Sequence, residues 1–548
     1  MSGYLPPSFS APIDLDLSKN EGRPLVDSID FDAVTLAALT SRYPDTTRLA
    51  ELVAARHEVP TTRVLVTAGG DDALLRCFLR VDGTVAATTP SFEMIRRYAE
   101  QVGAGLVEYE WWEGDLPVDE LVASGAAMAV IVSPNNPTGA VITAADLKTL
   151  ATELPFVVLD AAYADFADED LTADALELGN VVVVRTLSKA FGLAGLRVGY
   201  LLGPEDVVAE LRGFGSPYSL SALSASLAAG ALERDSAGAA AFADRVREER
   251  GRLRAVLGDL GVDTLESQGN FVLATGVDAA WLVSAAAALG IALRWFPDRP
   301  ELAGCVRIAL PGDEADFERL VRTLRTALDP EALLFDMDGV LADVRQSFRA
   351  AIVATAATFG VTVGADQIAA AKARGNASDD WELTRGLCAA AGVDVGLDEV
   401  RDRFETIYQG ADGVEGLKAK ERLLPDRENL EKWSTQWPLG IVTARPRKDA
   451  DEFLERFDIA RLFTTVVARE DAPSKPDPAP VLLALERLGV DRAWMFGDTS
   501  DDLVAARGAG AVPIGVRVPG DDPASLGSAA IVVESANEIQ EVLDVTSR

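Results

Sequence analysis

Short apolar runs alternate along this chain with stretches of helical periodicity. From about residue 49, runs at 63–67, 128–133, 156–160 and 181–185 read as strands, each followed by a loop or a helical stretch. That alternation predicts an α/β fold, a mostly parallel sheet with helices on both faces. An amphipathic pattern over 316–328 predicts a helix that closes the first half. Asp329-Pro330 breaks it, and 331–335 begins a new strand. The second half repeats the alternation, with strands expected near 333–335, 439–443, 494–496 and 512–516. Between 345 and about 430 the sequence is Ala-rich and helical, which predicts an insertion after the first strand of that half. Two domains are therefore expected, 1–329 and 330–548. The junction has no Gly/Ser linker, so the halves are expected to pack together rather than swing freely.

Length and charge narrow the class. A chain of 548 residues exceeds one core. Its 9 lysines and 42 arginines face 86 acidic residues, a formal net charge of −35. Such a surface repels nucleic acid and anionic membranes, and neither is expected as a partner. It suits a salt-rich cytoplasm, where screening lets dense carboxylates coexist. An Arg-over-Lys bias from a GC-rich genome accounts for the same composition, and both readings stay open. Cys77, Cys305 and Cys388 show no metal or disulfide spacing, which points to a reducing compartment. No signal peptide and no apolar run of membrane-spanning length is visible, so a cytoplasmic, soluble protein is expected. The single histidine, His57, lies in a polar helix end and is expected to be solvated. It leaves no room for a Ser-His-Asp triad or a multi-histidine zinc site. Acid–base work falls to lysine, tyrosine or carboxylates.

Two groups of residues carry chemistry. Lys189 follows an apolar strand within Thr186-Leu-Ser-Lys-Ala-Phe-Gly-Leu-Ala-Gly-Leu-Arg197, a setting that suits an aldehyde cofactor bearing a phosphate. Asp160 ends another strand, Tyr163 stands three residues on, and Asn136 lies in Ser133-Pro-Asn-Asn-Pro-Thr-Gly139. Open α/β sheets bind ligands beyond the carboxyl ends of their strands, so these groups can converge. The second group opens with Asp336-Met-Asp338 at the end of an apolar strand, a pair suited to metal-assisted phosphoryl transfer.

With these stretches, and with Leu17-Ser-Lys-Asn-Glu21, Arg42-Tyr-Pro-Asp45, Thr67-Ala-Gly-Gly-Asp-Asp-Ala73 and Gly304-Cys-Val-Arg307, residues 15–328 resemble a fold-type I PLP-dependent aminotransferase of the histidinol-phosphate aminotransferase branch. The resemblance implies that Lys189 binds pyridoxal phosphate and moves the proton between Cα and C4′. Asp160 would pair with the pyridine nitrogen, and Asn136 and Tyr163 with the phenolic oxygen. Phe92 would stack on the ring. Gly70, Asp71, Ser188 and Arg197 would hold the phosphate, and Tyr43 would reach a phosphate in a neighbouring subunit, which implies a homodimer. Arg307 would hold the substrate's anionic group. Ala161 departs from the glutamate the family often carries.

Residues 331–544 resemble a haloacid dehalogenase superfamily phosphatase. The matching stretches are Asp336-Met-Asp-Gly-Val340, Ile441-Val-Thr443, Ser474-Lys-Pro-Asp-Pro478 and Phe496-Gly-Asp-Thr-Ser-Asp-Asp502. The resemblance implies that Asp336 attacks phosphorus, Asp338 serves as acid and base, Thr443 donates to the transferring group and Lys475 neutralises charge. Mg²⁺ would be held by Asp336, Asp338 (through its backbone carbonyl) and Asp498, with Asp502 orienting Lys475 or the metal shell. The insertion at 345–430 would be a cap that favours small substrates, with 375–382 facing them. An amino acid, a 2-oxo acid and a phosphate monoester are the implied ligands. The joint expectation is transamination of histidinol phosphate followed by its dephosphorylation. Alternatives are an aminotransferase for another amino acid joined to an unrelated phosphatase, or to a regulatory module without turnover.

Overall fold

The computed structural model describes residues 8–23, 32–372, 379–411, 413–519 and 523–546. Two compact units emerge, and neither is one continuous stretch. The first gathers Leu17–Val277 and Leu293–Arg319; the second gathers Met1–Asp16, Asp278–Ala292 and Leu320–Arg548. The 329/330 boundary read from the sequence thus falls inside the second unit.

In the first unit, seven strands form one sheet: β1 (Val64–Thr67), β2 (Thr84–Thr89), β3 (Gly105–Glu110), β4 (Met128–Val132), β5 (Val157–Asp160), β6 (Val181–Thr186) and β7 (Gly199–Leu202). Their order is β1-β7-β6-β5-β4-β2-β3. The run from β3 to β6 is parallel, while β7 pairs antiparallel with both β6 and β1. β4, β5 and β6 are buried along their whole length, which is why they read as unbroken apolar runs. β2 and β3 escaped the sequence reading: one is Thr/Ala-rich, and the other is a half-exposed edge strand with two glutamates. Helix α1 (Gly69–Arg80) follows β1, and Asp72 in its first turn accepts the Ala68 N–H at 2.9 Å. A smaller antiparallel sheet holds β8 (Asp263–Thr264), β9 (Phe271–Thr275), β10 (Arg294–Trp295) and β11 (Val306–Ala309), ordered β10-β11-β9-β8.

The first helix of the second unit is α2 (Ala279–Ala288), apolar on every side with eight of its ten residues buried. Such a helix needs partners all round. α3 (Glu314–Leu328) leads on to β12 (Ala332–Phe335). Trp281 of α2 lies 4.7 Å, centroid to centroid, from Trp494. Trp281 Nε1 donates to the Ala327 carbonyl at 3.0 Å, and Trp494 Nε1 to that of Thr326 at 2.8 Å. Two indoles thereby fasten the end of α3 inside this unit, on the amino-terminal side of the boundary read from the sequence.

After β12 come the inserted helices α4 (Phe348–Thr358), α5 (Ala365–Lys372), α6 (Asp380–Ala390) and α7 (Leu397–Gln409). The insertion also carries two short strand pairs, Ala342–Asp343 with Arg422–Leu423 and Gly410–Ala411 with Val414–Glu415, which the Ala-rich pattern does not announce. Residues 375–378 of the stretch expected to face substrate lie outside the described residues. Its remainder starts α6, where Asp379 accepts the N–H groups of Trp381 and Glu382. The parallel sheet is completed by β13 (Leu439–Val442), β14 (Phe463–Val467), β15 (Ala493–Gly497), β16 (Val512–Val516) and β17 (Ile531–Val533), ordered β14-β13-β12-β15-β16-β17. β14 and β17 are the sheet's edges and were not legible as strands.

His57 differs from expectation. It is half-buried, with Nε2 3.0 Å from Tyr200 Oη, and burial together with Arg185 and Arg56 pushes its pKa down to about 4. No helix among the described residues is long and apolar enough to cross a membrane.

Candidate active sites

In the first unit the predicted residues gather at the carboxyl ends of β4, β5 and β6. Asp160 is the last residue of β5 and is buried. Burial pushes its carboxyl up to about 7; the Ala162 N–H, donating to Oδ1 at 3.1 Å, and Lys189 oppose the shift. Lys189, half-buried beyond the end of β6, donates from Nζ to the Asn20 carbonyl at 2.7 Å and sits 5.6 Å from the Tyr163 ring centre. Asn136 links two neighbours: its Nδ2 is 3.4 Å from Tyr163 Oη, and its Oδ1 accepts from Arg307 Nη1 at 2.7 Å. Arg307 is buried in β11 and also donates to the Ser18 carbonyl at 2.9 Å. Phe92, half-buried after β2, packs against the core under the sheet.

The anion end lies at the start of α1. Gly70 and Asp71 occupy its first turn, where unpaired N–H groups favour a phosphate. Arg197, in left-handed backbone at φ 53°, places Nη2 3.0 Å from Asp71 Oδ2. Gly69 has φ +83°, and a Cβ there would stand 2.9 Å from that guanidinium, so a side chain would crowd the cradle. Ser188 is buried, with its Oγ accepting from Thr186 Oγ1 at 2.9 Å. Tyr43 is apart from this group, 79% exposed and stacked on Tyr218 at 4.4 Å.

Two residues were missed. Asn20 is buried beside the Lys189 ammonium, yet neither side-chain amide atom has a partner. Arg294 pairs with Arg307 across the β10–β11 ladder, which puts both arginines on one sheet face. Asn20 lies in the Leu17–Glu21 stretch that carries the resemblance but was given no role, and Arg294 has no signature in sequence, because register brings it to Arg307. A buried carboxyl raised for want of a cation, an unsatisfied amide and an anion cradle together fit pyridoxal phosphate, with its pyridinium, hydroxyl and phosphate.

In the second unit, Asp336 directly follows β12 and is buried. Lys475 Nζ lies 2.6 Å from Asp336 Oδ1, 2.5 Å from Asp502 Oδ1 and 3.0 Å from the Val442 carbonyl. Burial raises the Asp336 carboxyl, and the charges of Asp502 and Asp338 add to that against the pull of Lys475. The two carboxylates in turn hold Lys475 charged against its own burial. Carboxylate oxygens of Asp336, Asp498 and Asp502 lie within 4.8 Å of one another, all buried. Such a buried group of three carboxylates suits a hard divalent cation such as Mg²⁺. Gly339 closes this group: at φ +81°, a Cβ there would stand 2.2 Å from Asp498 Oδ2. Thr443 is buried at the end of β13, its Oγ1 accepting the Arg445 N–H at 3.1 Å.

Asp338 was expected to reach the metal through its backbone carbonyl, which leaves its side chain for other contacts. Its carboxylate is outside the three-carboxylate group and goes to Arg445, whose Nε donates to Oδ1 at 2.6 Å. Arg445, Glu421 and Tyr408 were all missed, since they are 107, 83 and 70 positions away from Asp338 and only the fold joins them.

Comparison with known proteins agrees with this architecture. Residues 35–324 match the family "Aminotransferase class I and II", and residues 333–516 match "Haloacid dehalogenase-like hydrolase". The histidinol-phosphate aminotransferase 3 of Mesorhizobium japonicum is 31% identical over 323 residues, 56% of this chain and 86% of that protein. An imidazoleglycerol-phosphate dehydratase of Phytophthora nicotianae is 46% identical over 198 residues, and the match spans 34% of this chain and less than half, 44%, of that relative. In structure, the histidinol-phosphate aminotransferase of Sinorhizobium meliloti, solved with pyridoxal-5'-phosphate, covers 58% of this chain and 91% of its own at 23% identity and a TM-score of 0.51, which shows the shared fold. This chain therefore belongs to the class I and II aminotransferases, of fold type I, and carries a haloacid dehalogenase-like hydrolase domain behind its aminotransferase domain.

Proposed function

We propose that this protein is a bifunctional enzyme of histidine biosynthesis that transaminates imidazole acetol phosphate to histidinol phosphate and then hydrolyses that phosphate ester. One observation carries the reading. The relatives of the first domain are named for histidinol phosphate, and that compound is itself a phosphate monoester, the substrate class the second site suits. The Phytophthora relative is named for another phosphorylated imidazole compound, which accords with a substrate of that kind though not with the same reaction. Arg294 and Arg307 on one sheet face give two guanidinium groups for a substrate with a phosphate.

Bound pyridoxal phosphate supplies the electron sink for a Cα carbanion. Asp160 would keep its pyridine nitrogen protonated, and Asn136 and Tyr163 would hydrogen-bond its phenolic oxygen. Phe92 would pack on its ring, while Gly70, Asp71, Ser188 and Arg197 would hold its phosphate. Lys189 Nζ would be the base that moves the substrate's Cα proton. Tyr43 reaches the phosphate of a second copy, in a homodimer that resides in the cytoplasm. Three buried free thiols accord with that compartment.

In the second site Asp336, Asp498 and the Asp338 carbonyl would hold Mg²⁺, which would supply the positive charge a carboxylate needs to approach a phosphate dianion. Asp336 is the nucleophile and Asp338 the acid and base. Thr443 and Lys475 steady the transferring group, and Asp502 orients Lys475. The test is phosphate release from histidinol phosphate with Mg²⁺, using Asp336→Asn as the blank. Release well above that from other small esters is expected. Generic phosphatase activity without it would separate the second site from the first site's product.

A further inference from the structure

The buried arginine that holds Asp338 has a role of its own. Arg445 leaves the end of β13, and its side chain is 1% exposed. Both of its contacts to Asp338 fall on a single carboxylate oxygen: Nε to Oδ1 at 2.6 Å and Nη2 to the same atom at 2.5 Å. Its remaining edge meets Glu421, with Nη1 3.1 Å from Oε2 and Nη2 3.2 Å from Oε1. Glu421 is 3% exposed and accepts the hydroxyl of Tyr408 at 3.0 Å. Tyr408 belongs to α7 of the inserted segment. The guanidinium also lies 4.8 Å from the ring centre of Phe348 on α4 and 5.3 Å from that of Phe453. A rigid five-donor fork caged on this many sides fixes what it binds far more tightly than a surface ion pair does.

We propose that Arg445 is a positioning residue for hydrolysis, through which the inserted helical segment sets the aim of the Asp338 carboxyl. The proposal rests on the phosphatase reading of this site. With Oδ1 engaged by Arg445, Oδ2 is the oxygen that exchanges the proton. In the first step the Asp336 carboxylate oxygen bonds to phosphorus while the ester P–O bond breaks, and the departing alkoxide takes the proton from Asp338 Oδ2. In the second, Asp338 takes a proton from water as the water oxygen bonds to phosphorus, and the P–O bond to Asp336 breaks. Asp336 is regenerated and inorganic phosphate leaves. Only the first step depends on the leaving group: an alkoxide needs that proton, whereas para-nitrophenolate departs without it.

The test compares two esters on the full-length protein with Mg²⁺, glycerol phosphate and para-nitrophenyl phosphate. Arg445→Met is expected to lower kcat/KM for the alkyl ester about 100-fold, the low end of general-acid effects, and for the aryl ester less than about 10-fold. Asp338→Asn should give the same selective pattern, and the double variant should be no worse on the alkyl ester than Asp338→Asn alone. Arg445→Lys, which keeps the charge and loses the fork, should recover only part of the loss. Removing Arg445 leaves Glu421 buried without its cation, and that variant can fail to fold. Tyr408→Phe then carries the test, removing one hydroxyl remote from substrate while shifting the alkyl-to-aryl ratio in the same direction. Equal losses on both esters, or an unchanged ratio in folded Arg445→Met and Tyr408→Phe, overturn the proposal. Wild-type turnover of neither ester, or undiminished turnover by Asp336→Asn, would instead overturn the phosphatase reading beneath it.

Discussion

Replacing Asp160 by asparagine tests the cofactor site through stability as well as activity. In the cofactor-free fold this carboxyl is buried, and burial moves it from its ordinary 3.8 to about 7. At about 1.4 kcal/mol for each tenfold change in proton affinity, the shift is equivalent to about 4 kcal/mol. The folded-state value lies above the unfolded one, so the folded protein holds this proton while the unfolded chain releases it. Stability therefore falls as pH rises from about 4 to about 7 and levels off above that, with about 2–3 kcal/mol of the loss between pH 5 and pH 8. The asparagine side chain would keep the acceptor for the Ala162 N–H and lose the titration. Urea unfolding of cofactor-free wild type and Asp160→Asn at both pH values isolates the term as a difference. The variant should gain about 2–3 kcal/mol on wild type between pH 5 and pH 8. Added pyridoxal phosphate should close that gap for wild type, because a pyridinium gives the carboxylate its cation. Transamination by the variant should fall about 100- to 1,000-fold. Parallel pH dependence of the two proteins would refute the argument that an unpaired buried carboxyl waits there.

Three further outcomes follow from the geometry. Lys475→Met removes the ammonium between Asp336 and Asp502, so phosphate release should drop about 100-fold or more with transamination rates unchanged, and a milder loss would show that Lys475 is not needed at the phosphorus. Trp281→Ala, within the stretch that matches the aminotransferase family, should destabilise the unit that holds the hydrolase site by about 3–5 kcal/mol, because it empties the space against Trp494; thermal inactivation of the phosphatase at the wild-type temperature would contradict that. Arg307→Lys cannot keep both the Asn136 and Ser18 contacts, and KM for histidinol phosphate should rise about 10-fold, read by steady-state kinetics with kcat followed in parallel.

The sequence by itself determined the strands whose faces are both covered. Val181–Val184 and Ala332–Phe335 are unbroken apolar runs because each lies in a strand with neighbours on both sides and both faces covered, and that leaves a run to read. It also pointed to the candidate chemistry near the strand ends, since Asp160 finishes such a run, Asp336 directly follows one and Lys189 stands three residues beyond Thr186. Edge strands such as Gly105–Glu110 and Phe463–Val467 were lost because exposure on one side dilutes the run with polar residues. The tertiary structure alone decided which residues meet across long separations. It paired Arg294 with Arg307 by register, and brought Arg445 to the Asp338 carboxylate across 107 positions of sequence. It also moved the edge of the second unit away from Asp329-Pro330, by packing α2, a helix apolar on every face, inside that unit. Periodicity reports only whether a residue is covered; what covers it depends on contacts between distant segments, and those exist only once the chain has folded.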